Sequence, residues 1–273
     1  MGMSFENSYE VDLYNQRCIC IILEISESVI NHFHQLEQNQ NINKIIVYTL
    51  PENVEFLEKN GFDQEGEISH FFFGKDGYIL TKYKEDFRKK STSLEVNKKV
   101  MDLVKKDNKV FSNIELGEEF QIQLATKNEI IPLSSLYKKV FRYYPTHVHN
   151  PEYINKVISQ TYFFVVILHQ DKLISAASAI INPKYKNAEI TDCATDPDYR
   201  GKSLMYHIIL EIEKELRKRD IPTFYSLTRA QSFGMNLTVK RLGYQYGGTL
   251  INNCIIYSGF EDMNIWTKTG QFF

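Results

Sequence analysis

Short apolar runs, separated by polar or charged stretches, recur along the chain and predict strands that alternate with amphipathic helices. In the first third, the strand-like runs CICIIL, KIIVYTL and HFFF flank a predicted helix from Ser26 to Gln38 and a second helix that opens at Pro51. Later runs read FQIQLA, TYFFVVIL, LISAASAII, AEITDCAT, TFYSLT and EDMNIW. This order predicts an α+β fold with a mostly antiparallel sheet and one parallel crossover.

A charged segment, poor in aromatic residues, interrupts this order between residues 85 and 117. Within it, Leu94, Val100, Leu103 and Val104 form a thin apolar stripe at helical spacing, which predicts a connecting helix. The chain has 273 residues, 43% of them hydrophobic, which is enough for one large core or two ordinary ones. We therefore expect a smaller domain over residues 1–88, a linker helix over residues 89–117 and a larger domain over residues 118–273.

Two distant segments share one pattern. LEKNGFDQEGEI, residues 57–68, and VKRLGYQYGGTL, residues 239–250, each join an amphipathic helix end, a glycine suited to a left-handed cap, and an aromatic residue that starts a strand. The common register favours two halves built on one fold. Such junctions are also common in unrelated proteins, and this alternative stays open.

The stretch CATDPDYRGKSLMYHIILEIEKEL joins a predicted strand to a helix. Apolar residues recur every fourth position from Leu204 to Leu216, which places the helix start near Gly201. The first N–H groups of a helix lack intrahelical partners and attract anions. Because Arg200 and Lys202 add positive charge and Ser203 a hydroxyl, the loop suits a pyrophosphate. The alternative is an ordinary helix start in solvent.

Composition argues against several classes of function. Lysine and arginine total 32 against 34 acidic residues, and no basic run is long enough to neutralise many phosphates, so nucleic-acid binding has little electrostatic support. No apolar run approaches the ~20 residues needed to span a bilayer, and the first residues do not resemble a signal peptide. We expect a cytoplasmic protein with a small-molecule partner and no membrane contact.

Signals for metals and disulfides are weak. His147 and His149, in YYPTHVHNP, have no acidic or cysteine companion at metal-ligand spacing, so we interpret them as loop residues and expect no metal. The cysteines show no Cys-x-x-Cys spacing, which favours free buried thiols. They are Cys18, Cys20, Cys193 and Cys254.

The run CATDPDYRGKSLM resembles motif A of the GNAT N-acetyltransferases, and FYSLTRAQSFGMNLTVKRLGY resembles their motif B. Asp198 and Ser203 depart from the usual motif A residues at the outer edge of the pyrophosphate cradle. The resemblance implies that acetyl-CoA binds with its pantetheine along the strand and its pyrophosphate in the loop, while Asn236 contacts the cofactor or caps a turn. The implied cofactor-binding residues are Cys193, Ala194, Thr195, Arg200, Gly201, Lys202, Ser203, Leu204 and Asn236.

A closer resemblance covers most of the chain. TDCAT, LTRAQSFGMN, GYQYGGTLINNC and GFEDMNIW together resemble the beta-lysine N-acetyltransferases, a GNAT subfamily of about this length. It implies a GNAT fold preceded by a smaller, degenerate GNAT-like half, and acetyl transfer to the side-chain amine of 3,6-diaminohexanoate. The alternatives are another small amine or polyamine as substrate, or a sensor that binds acyl-CoA or amine without turnover. A homodimer also remains open.

Acetyl transfer to an amine requires a base, because an alkylammonium with a pKa near 10 is almost wholly protonated at pH 7. Glu189 is the leading candidate, since EITDCAT resembles the GNAT strand in which a glutamate four residues before a cysteine serves as base. Asp192 is the second candidate, and strand alternation predicts that it lies on the opposite face from Glu189. Val239 occupies the position where many GNAT enzymes carry a general-acid tyrosine, so either Tyr244, Tyr246 or solvent takes that role or the thiolate leaves unassisted.

Five residues near the carboxy terminus are candidates for substrate binding. Glu261 and Asp262 open an apolar strand and could hold amines, or could be solvated turn residues. Arg229 ends a strand where its donors could hold a carboxylate, or could form a structural ion pair. Asn252 and Asn253 interrupt an apolar strand, an unusual place for two amides unless at least one is hydrogen-bonded inward.

Overall fold

The computed structural model describes residues 7–109, 114–256 and 259–270. The first part of the chain forms β1 (Ser8–Asp12), β2 (Arg17–Ile22), α1 (Glu27–Gln38), β3 (Lys44–Thr49), α2 (Val54–Lys59), β4 (Asp63–Phe72), β5 (Lys75–Tyr83), α3 (Asp86–Lys89) and α4 (Leu94–Lys106). A 3₁₀ turn over Pro51–Asn53 precedes α2. The predicted helix from Ser26 is confirmed, because the Ser26 side chain caps α1 by accepting a hydrogen bond from the Val29 amide.

The second part of the chain forms a longer series of elements. They are β6 (Phe120–Leu124), α5 (Ile130–Val140), α6 (Pro151–Val157), β7 (Tyr162–His169), β8 (Lys172–Asn182), β9 (Asn187–Thr195), α7 (Leu204–Lys218), β10 (Thr223–Arg229), α8 (Phe233–Arg241), β11 (Gln245–Ile256) and β12 (Gly259–Thr269). Two 3₁₀ turns, Lys127–Glu129 and Pro197–Tyr199, precede α5 and α7.

All twelve strands form one sheet in the order β1-β2-β3-β5-β4-β11-β12-β10-β9-β8-β7-β6. The mostly antiparallel α+β arrangement is therefore confirmed. The prediction of one parallel crossover is wrong, because β2–β3 and β9–β10 are both parallel pairs, connected through α1 and α7. A helix between two adjacent strands returns the chain to the same end of the sheet, and this happens once in each half.

The two segments with a shared sequence pattern occupy matching positions. Gly61 and Gly243 follow α2 and α8 with φ of +83° and +86°, as the left-handed cap required. The next strands, β4 and β11, each bulge twice at corresponding positions against β5 and β12. They pair with each other at Gly66 and Gly248, so the two halves join edge to edge. The strand pairing of one half thus repeats that of the other.

The predicted connecting helix is α4, which packs against α8. Lys240 donates from Nζ to the carbonyl oxygens of Val104 (2.6 Å) and Lys105 (3.0 Å), which satisfies exposed carbonyls at the end of α4. The predicted stripe is only partly correct. Val104 is buried, but Leu94 and Leu103 are exposed, since the inward face of the helix carries Asn97, which donates to Asp262, and Met101.

Helices cover both faces of the sheet in the second half. α7 packs on one face, where Ile212 contacts the core that includes Ile190 and Phe224. α5 packs on the opposite face, where Leu133 joins the core that includes Ala194. We call these the α7 face and the α5 face. β9 contributes side chains to both, and it carries most of the candidate site.

Candidate active site

The candidate site lies where the parallel strands β9 and β10 separate. They pair from Asn187 to Glu189 and then diverge, although β9 continues to Thr195 and β10 to Arg229. Ser226 donates to the carbonyl oxygen of Ile190 (2.7 Å) at the start of the gap. The resulting cleft has a volume of about 590 Å³ and is lined by β9, β10, the loop before α7, and α8. A strand edge without a neighbouring strand can offer its backbone groups to an extended ligand.

The loop from Asp196 to Ser203 closes one end of the cleft. Asp196 is buried, and its carboxylate forms ion pairs with Lys139 Nζ at 2.6 Å and Lys172 Nζ at 3.1 Å. Hydrogen bonds from these lysines and from the Asp198 amide outweigh the effect of burial, and the pKa of Asp196 is lowered to about 2. This anchored carboxylate fixes the turn that leads to the helix.

The end of this loop is suited to an anion. Gly201 has φ of +80° and Ser203 has φ of +57°, after which α7 begins at Leu204. The Cβ position of Gly201 has no atom within 4 Å, so the backbone there is open to a ligand. Arg200 and Lys202 are exposed beside it. The backbone N–H groups, the helix end and the two cations together fit a pyrophosphate.

Most of the predicted cofactor residues line the cleft. They are Cys193, Thr195, Arg200, Gly201, Lys202, Ser203 and Leu204. Ala194 does not line the cleft, because its side chain is buried in the α5-side core, so only its backbone could contact a ligand. Asp198, at the position where the motif departs from its usual residue, is exposed and forms an ion pair with Lys139 at 3.2 Å.

Asn236 does not line the cleft. It is fully buried, and its Oδ1 accepts hydrogen bonds from Trp266 Nε1 (2.8 Å) and Asn264 Nδ2 (2.9 Å). Its Nδ2 donates to the carbonyl oxygens of Arg229 and Ser232, at 2.9 and 2.8 Å. The expected cofactor contact is therefore corrected: Asn236 cross-links α8, β10 and β12 as a satisfied core amide.

Asp192 lines the cleft at a β-bulge. Its φ is +51°, and the register between β8 and β9 shifts beside it. Its Oδ2 accepts hydrogen bonds from Tyr162 Oη (2.8 Å) and Ser178 Oγ (2.6 Å), which lie on the α5 face. The prediction that Asp192 and Glu189 lie on opposite faces is wrong, because the bulged residue breaks the alternation. Burial raises the pKa of Asp192, while the hydrogen bonds from Ser178 and Tyr162 act to lower it.

Glu189 lies at the closed end of the gap, on the α5 face, rather than among the residues that line the cleft. It keeps partial access to solvent. Burial raises the pKa of Glu189 to about 7, and the charge of Asp192 contributes in the same direction. Tyr225 Oη lies 3.5 Å from Glu189 Oε2 and opposes part of this shift. A carboxyl group with this pKa can accept and release a proton near neutral pH.

Arg229 and Glu261 lie together. Arg229 Nε is 2.7 Å from Glu261 Oε2, and Arg229 Nη2 is 2.8 Å from Glu261 Oε1. This bidentate pair occupies both carboxylate oxygens of Glu261 and one side of the guanidinium. The interpretation of Arg229 as a structural ion-pair partner therefore accounts for its geometry, although its side chain still lines the cleft.

Asp262 and Asn252 organise the linker rather than the cleft. Asp262 is buried and accepts hydrogen bonds from Ser91 Oγ, Asn97 Nδ2 (2.7 Å) and the Asn252 amide (2.7 Å). Asn252 has φ of +45°, and its Nδ2 donates to the carbonyl oxygens of Arg88 (3.0 Å) and Lys90 (2.9 Å). We therefore correct the expectation that these two residues bind substrate. Both hold α3 and the start of α4 against β11 and β12.

Asn253 is buried next to Asn252, where the register of β11 against β12 shifts between Leu250 and Cys254. Its carbonyl oxygen accepts Arg17 Nη1 at 3.1 Å, and its Oδ1 has no hydrogen-bond partner among the described residues. Asn253 also does not line the cleft.

Neither tyrosine considered as general acid lines the cleft. Tyr244 is buried in the α7-side core together with Val239, and Tyr246 donates to or accepts from Thr249 Oγ1 at 2.6 Å on the surface. Tyr144 lines the cleft instead, stacked on Phe141 with ring centroids 4.2 Å apart. The sequence predicts only a loop for the segment that contains Tyr144. The adjacent tyrosines in YYPTHVHNP are the one feature that could have indicated a cleft residue there.

No group of three or more His, Cys, Asp or Glu side chains in the described part of the chain is arranged to hold a metal. Among the same residues, no helix is long and apolar enough to cross a membrane. His147 is exposed and packs edge-on against Tyr153. The four cysteines are free thiols, and Cys18, Cys20 and Cys254 are buried.

The chain is similar in sequence to known acetyltransferases. Residues 131–244 match the model of the Acetyltransferase (GNAT) family. The N-acetyltransferase YodP of Bacillus subtilis is 41% identical over 231 residues, which is 85% of this chain and 84% of that protein. The beta-lysine N(6)-acetyltransferase of Methanosarcina mazei is 35% identical, covering 89% of this chain and 97% of that protein. A second protein of that name, from Methanococcus maripaludis, is 30% identical over 89% of this chain and 88% of its own length.

Solved structures support the same fold. The ribosomal-protein-S18-alanine N-acetyltransferase of Escherichia coli superposes with a TM-score of 0.50 at 17% identity, covering 56% of this chain and 96% of its own. The solved enzyme therefore matches only about half of the present chain, although nearly all of its own length is aligned. The diverging strands, the open glycine loop before α7 and the sequence matches agree: the chain belongs to the GNAT acetyltransferase family and is an acetyl-CoA-dependent N-acetyltransferase.

Proposed function

We propose that the protein transfers the acetyl group of acetyl-CoA to the side-chain amine of beta-lysine, 3,6-diaminohexanoate, and so forms N6-acetyl-beta-lysine. Two relatives that align over 89% of the chain carry the name beta-lysine N(6)-acetyltransferase. The observation that carries the proposal is Glu189, a carboxyl group with a pKa of about 7 at the closed end of the gap between β9 and β10. A cationic amine needs such an acceptor.

The cleft offers the contacts that acetyl-CoA requires. The loop residues Arg200, Gly201 and Lys202 would hold the pyrophosphate, with the first N–H groups of α7. The free edge of β9 at Cys193 and Thr195 would hold the pantetheine by backbone hydrogen bonds. When bound, acetyl-CoA supplies a thioester as the acetyl donor. The chain's own residues orient this thioester and manage the protons.

Glu189 acts as the base in this proposal. Its ionised carboxylate takes one proton from the substrate ammonium, directly or through a water, and the neutral amine attacks the thioester carbonyl. A C–N bond forms and the C–S bond breaks, with the electron pair leaving on sulfur. The nitrogen then loses its second proton to solvent, and the thiolate takes up one proton from solvent. Asp192 faces the cleft as a second carboxylate and attracts the ammonium group into position.

Tyr144 stabilises the leaving thiolate by donating a hydrogen bond. Two tyrosines line the cleft: the hydroxyl of Tyr199 pairs with His169 at 3.0 Å, whereas the hydroxyl of Tyr144 hydrogen-bonds to Asp192 in the cleft. Burial and the neighbouring Asp192 raise the pKa of Tyr144 far above its usual value, so this hydroxyl is protonated at neutral pH and can act as a hydrogen-bond donor. Such a donor compensates for Val239 at the usual tyrosine position.

A turnover assay separates this function from its alternatives. Purified protein is incubated with acetyl-CoA and, in turn, 3,6-diaminohexanoate, lysine, 1,4-diaminopentane and spermidine, and both free thiol and product mass are measured. We expect the highest kcat/KM for 3,6-diaminohexanoate, with one acetyl group on the distal nitrogen. A higher kcat/KM for spermidine or 1,4-diaminopentane would contradict the proposal and favour a polyamine enzyme. Binding without turnover of any amine would favour a sensor.

A further inference from the structure

The amino-terminal half contributes a wall to the region around Glu189. β2 alternates strictly: Cys18 and Cys20 pack with α1, whereas Arg17, Ile19 and Ile21 face away from α1 and are partly exposed. Ile19 and Ile21 belong to the same apolar cluster as residues of β10, although five strands separate β2 from β10 in the sheet. The two strands therefore present side chains to a common region.

A chain of aromatic contacts joins the halves in this region. Tyr48 of β3 stacks on Phe71 of β4 with ring centroids 5.4 Å apart, and Phe71 packs edge-on against Tyr225 at 5.6 Å. Tyr225 in turn reaches Glu189. Residues of the first half thus come within one or two side chains of the proposed base.

Arg17 is the cation of this wall. Its Nε donates to Asp12 Oδ2 at 2.9 Å, and its Nη1 donates to the carbonyl oxygen of Asn253 at 3.1 Å. Nη2 has no hydrogen-bond partner among residues 7–109, 114–256 and 259–270. The two hydrogen bonds fix the guanidinium. Because the side chain is 13% exposed, its outer end can still bind a ligand. A rigid guanidinium end binds a carboxylate through paired donors.

The charges around Glu189 match a diamino acid. Burial and the charges of Asp192 and Glu10 raise the pKa of Glu189, and the charge of Arg17 lowers it. With Asp12, which pairs with Arg17, these groups amount to four carboxylates and one guanidinium, and this excess of negative charge suits a molecule with two ammonium groups and one carboxylate. Arg229, the other arginine considered for the carboxylate, has one side of its guanidinium bound to Glu261.

We propose that Arg17, from the amino-terminal half, binds the carboxylate of the amino-acid substrate and thereby selects diamino acids over simple polyamines. The inference rests on the proposed function, since it assigns the carboxylate end of the same substrate. It also gives the first half a role in catalysis by the second. The guanidinium would hold one end of the substrate, and Glu189 and Asp192 would receive amine groups further along it.

The test compares two substrates in two variants. Arg17→Gln removes the charge, and Arg17→Lys keeps the charge but loses the planar fork. KM and kcat are measured for 3,6-diaminohexanoate and for 1,4-diaminopentane, which is the same diamine with hydrogen in place of the carboxylate. We expect Arg17→Gln to raise KM for the diamino acid by about 10- to 100-fold, with a smaller rise in Arg17→Lys, and to change KM for the diamine by less than about threefold.

Asp12→Asn is the matched control, because it removes the charge of the ion-pair partner but keeps the Arg17 charge and a side-chain oxygen that can accept from Arg17 Nε. If Arg17 binds substrate, Asp12→Asn keeps the preference for the diamino acid. If Arg17 only supports the fold, Asp12→Asn and Arg17→Gln raise KM for both substrates alike, which overturns the inference. Binding of 3,6-diaminohexanoate to the coenzyme A complex, measured by calorimetry, provides a readout without turnover.

The two proposals fail in different ways. An unmodified protein that prefers 1,4-diaminopentane contradicts the proposed function itself. An unmodified protein that prefers the diamino acid, with the same preference in Arg17→Gln, contradicts only the role of Arg17.

Discussion

Tyr225 Oη lies 3.5 Å from Glu189 Oε2, at the last pair of residues before β9 and β10 separate. The hydroxyl stabilises the ionised carboxylate, while burial and Asp192 favour the protonated form. The balance gives Glu189 a pKa of about 7, so the group can take up and release a proton near neutral pH. Because Glu189 keeps partial access to solvent at the end of the gap, this exchange does not require the core to open.

Glu189→Gln should lower kcat near pH 7 by ~10²-fold or more, because the amide keeps the shape of the side chain but cannot accept a proton. In the unmodified protein, kcat/KM should rise with pH through about 7 as Glu189 ionises. The loss in the variant should shrink toward the pKa of the amine, where substrate arrives neutral. Steady-state rates from pH 6 to 10 measure both effects. A loss independent of pH would make Glu189 a binding or structural residue.

Tyr225→Phe and Asp192→Asn should shift the pH profile in opposite directions. The Tyr225 hydroxyl lowers the pKa of Glu189, so its removal should raise that pKa and move the rise in kcat/KM to higher pH. The Asp192 charge raises the same pKa, so Asp192→Asn should move the rise to lower pH. Shifts of about half a unit or more are measurable from the same assay. Two shifts in one direction would show that Glu189 does not control the profile.

Gly201→Glu should raise KM for acetyl-CoA by at least ~10-fold, because it adds a negative charge where the pyrophosphate would lie. Gly201→Ala is the matched control: φ of +80° strains any side chain there, but no atom lies within 4 Å of the added Cβ. Alanine therefore reports strain alone, and the difference between the variants reports charge. Equal KM values for acetyl-CoA in both variants would remove the loop from the cofactor site.

Asp262→Ala should destabilise the fold by about 2–4 kcal/mol, since it leaves the buried Asn97 amide and the Asn252 N–H without an acceptor. Thermal or urea denaturation measures this loss. KM for the amine in the folded protein should be nearly unchanged, because Asp262 does not line the cleft. A raised KM with unchanged stability would restore Asp262 as a substrate-binding residue.

One acetyl-CoA should bind per chain, although the fold repeats. β2 and β3 pair at all six positions from Arg17 to Ile22, so the first half has no gap like that between β9 and β10. No Arg-Gly-Lys turn follows β2 either. Calorimetry of the whole chain with coenzyme A gives the stoichiometry, and Gly201→Glu should abolish the single site. Two sites, or one that survives Gly201→Glu, would place binding elsewhere.

The sequence predicted those parts of the site that depend on neighbouring residues. The turn from Asp196 to Ser203 could be recognised because its glycine, its cations and the helix start lie within a few residues of each other. The repeat was visible for the same reason, as helix, glycine and strand follow one another.

Features that depend on distant contacts could not be predicted in this way. The face of Asp192 is set by a bulge against β8, and the environments of Asn236 and Asp262 by partners up to 171 residues away in sequence. Polar residues in an apolar pattern were interpreted as ligand contacts, whereas several satisfy one another inside the core. Arg17 carried no local signal, since its hydrogen bond to the carbonyl oxygen of Asn253 is made across the two halves.

The contact of Gly66 with Gly248 restricts how this chain can evolve or be engineered. A Cβ at Gly248 would lie 2.2 Å from the carbonyl oxygen of Glu65, and one at Gly66 would lie 2.6 Å from that of Gly247. Any side chain there would force β4 and β11 apart and leave two open strand edges, which are templates for aggregation. Expressing the halves as separate polypeptides would create the same edges. Each half therefore covers a strand edge of the other, and removal of the first half would expose the edge of β11.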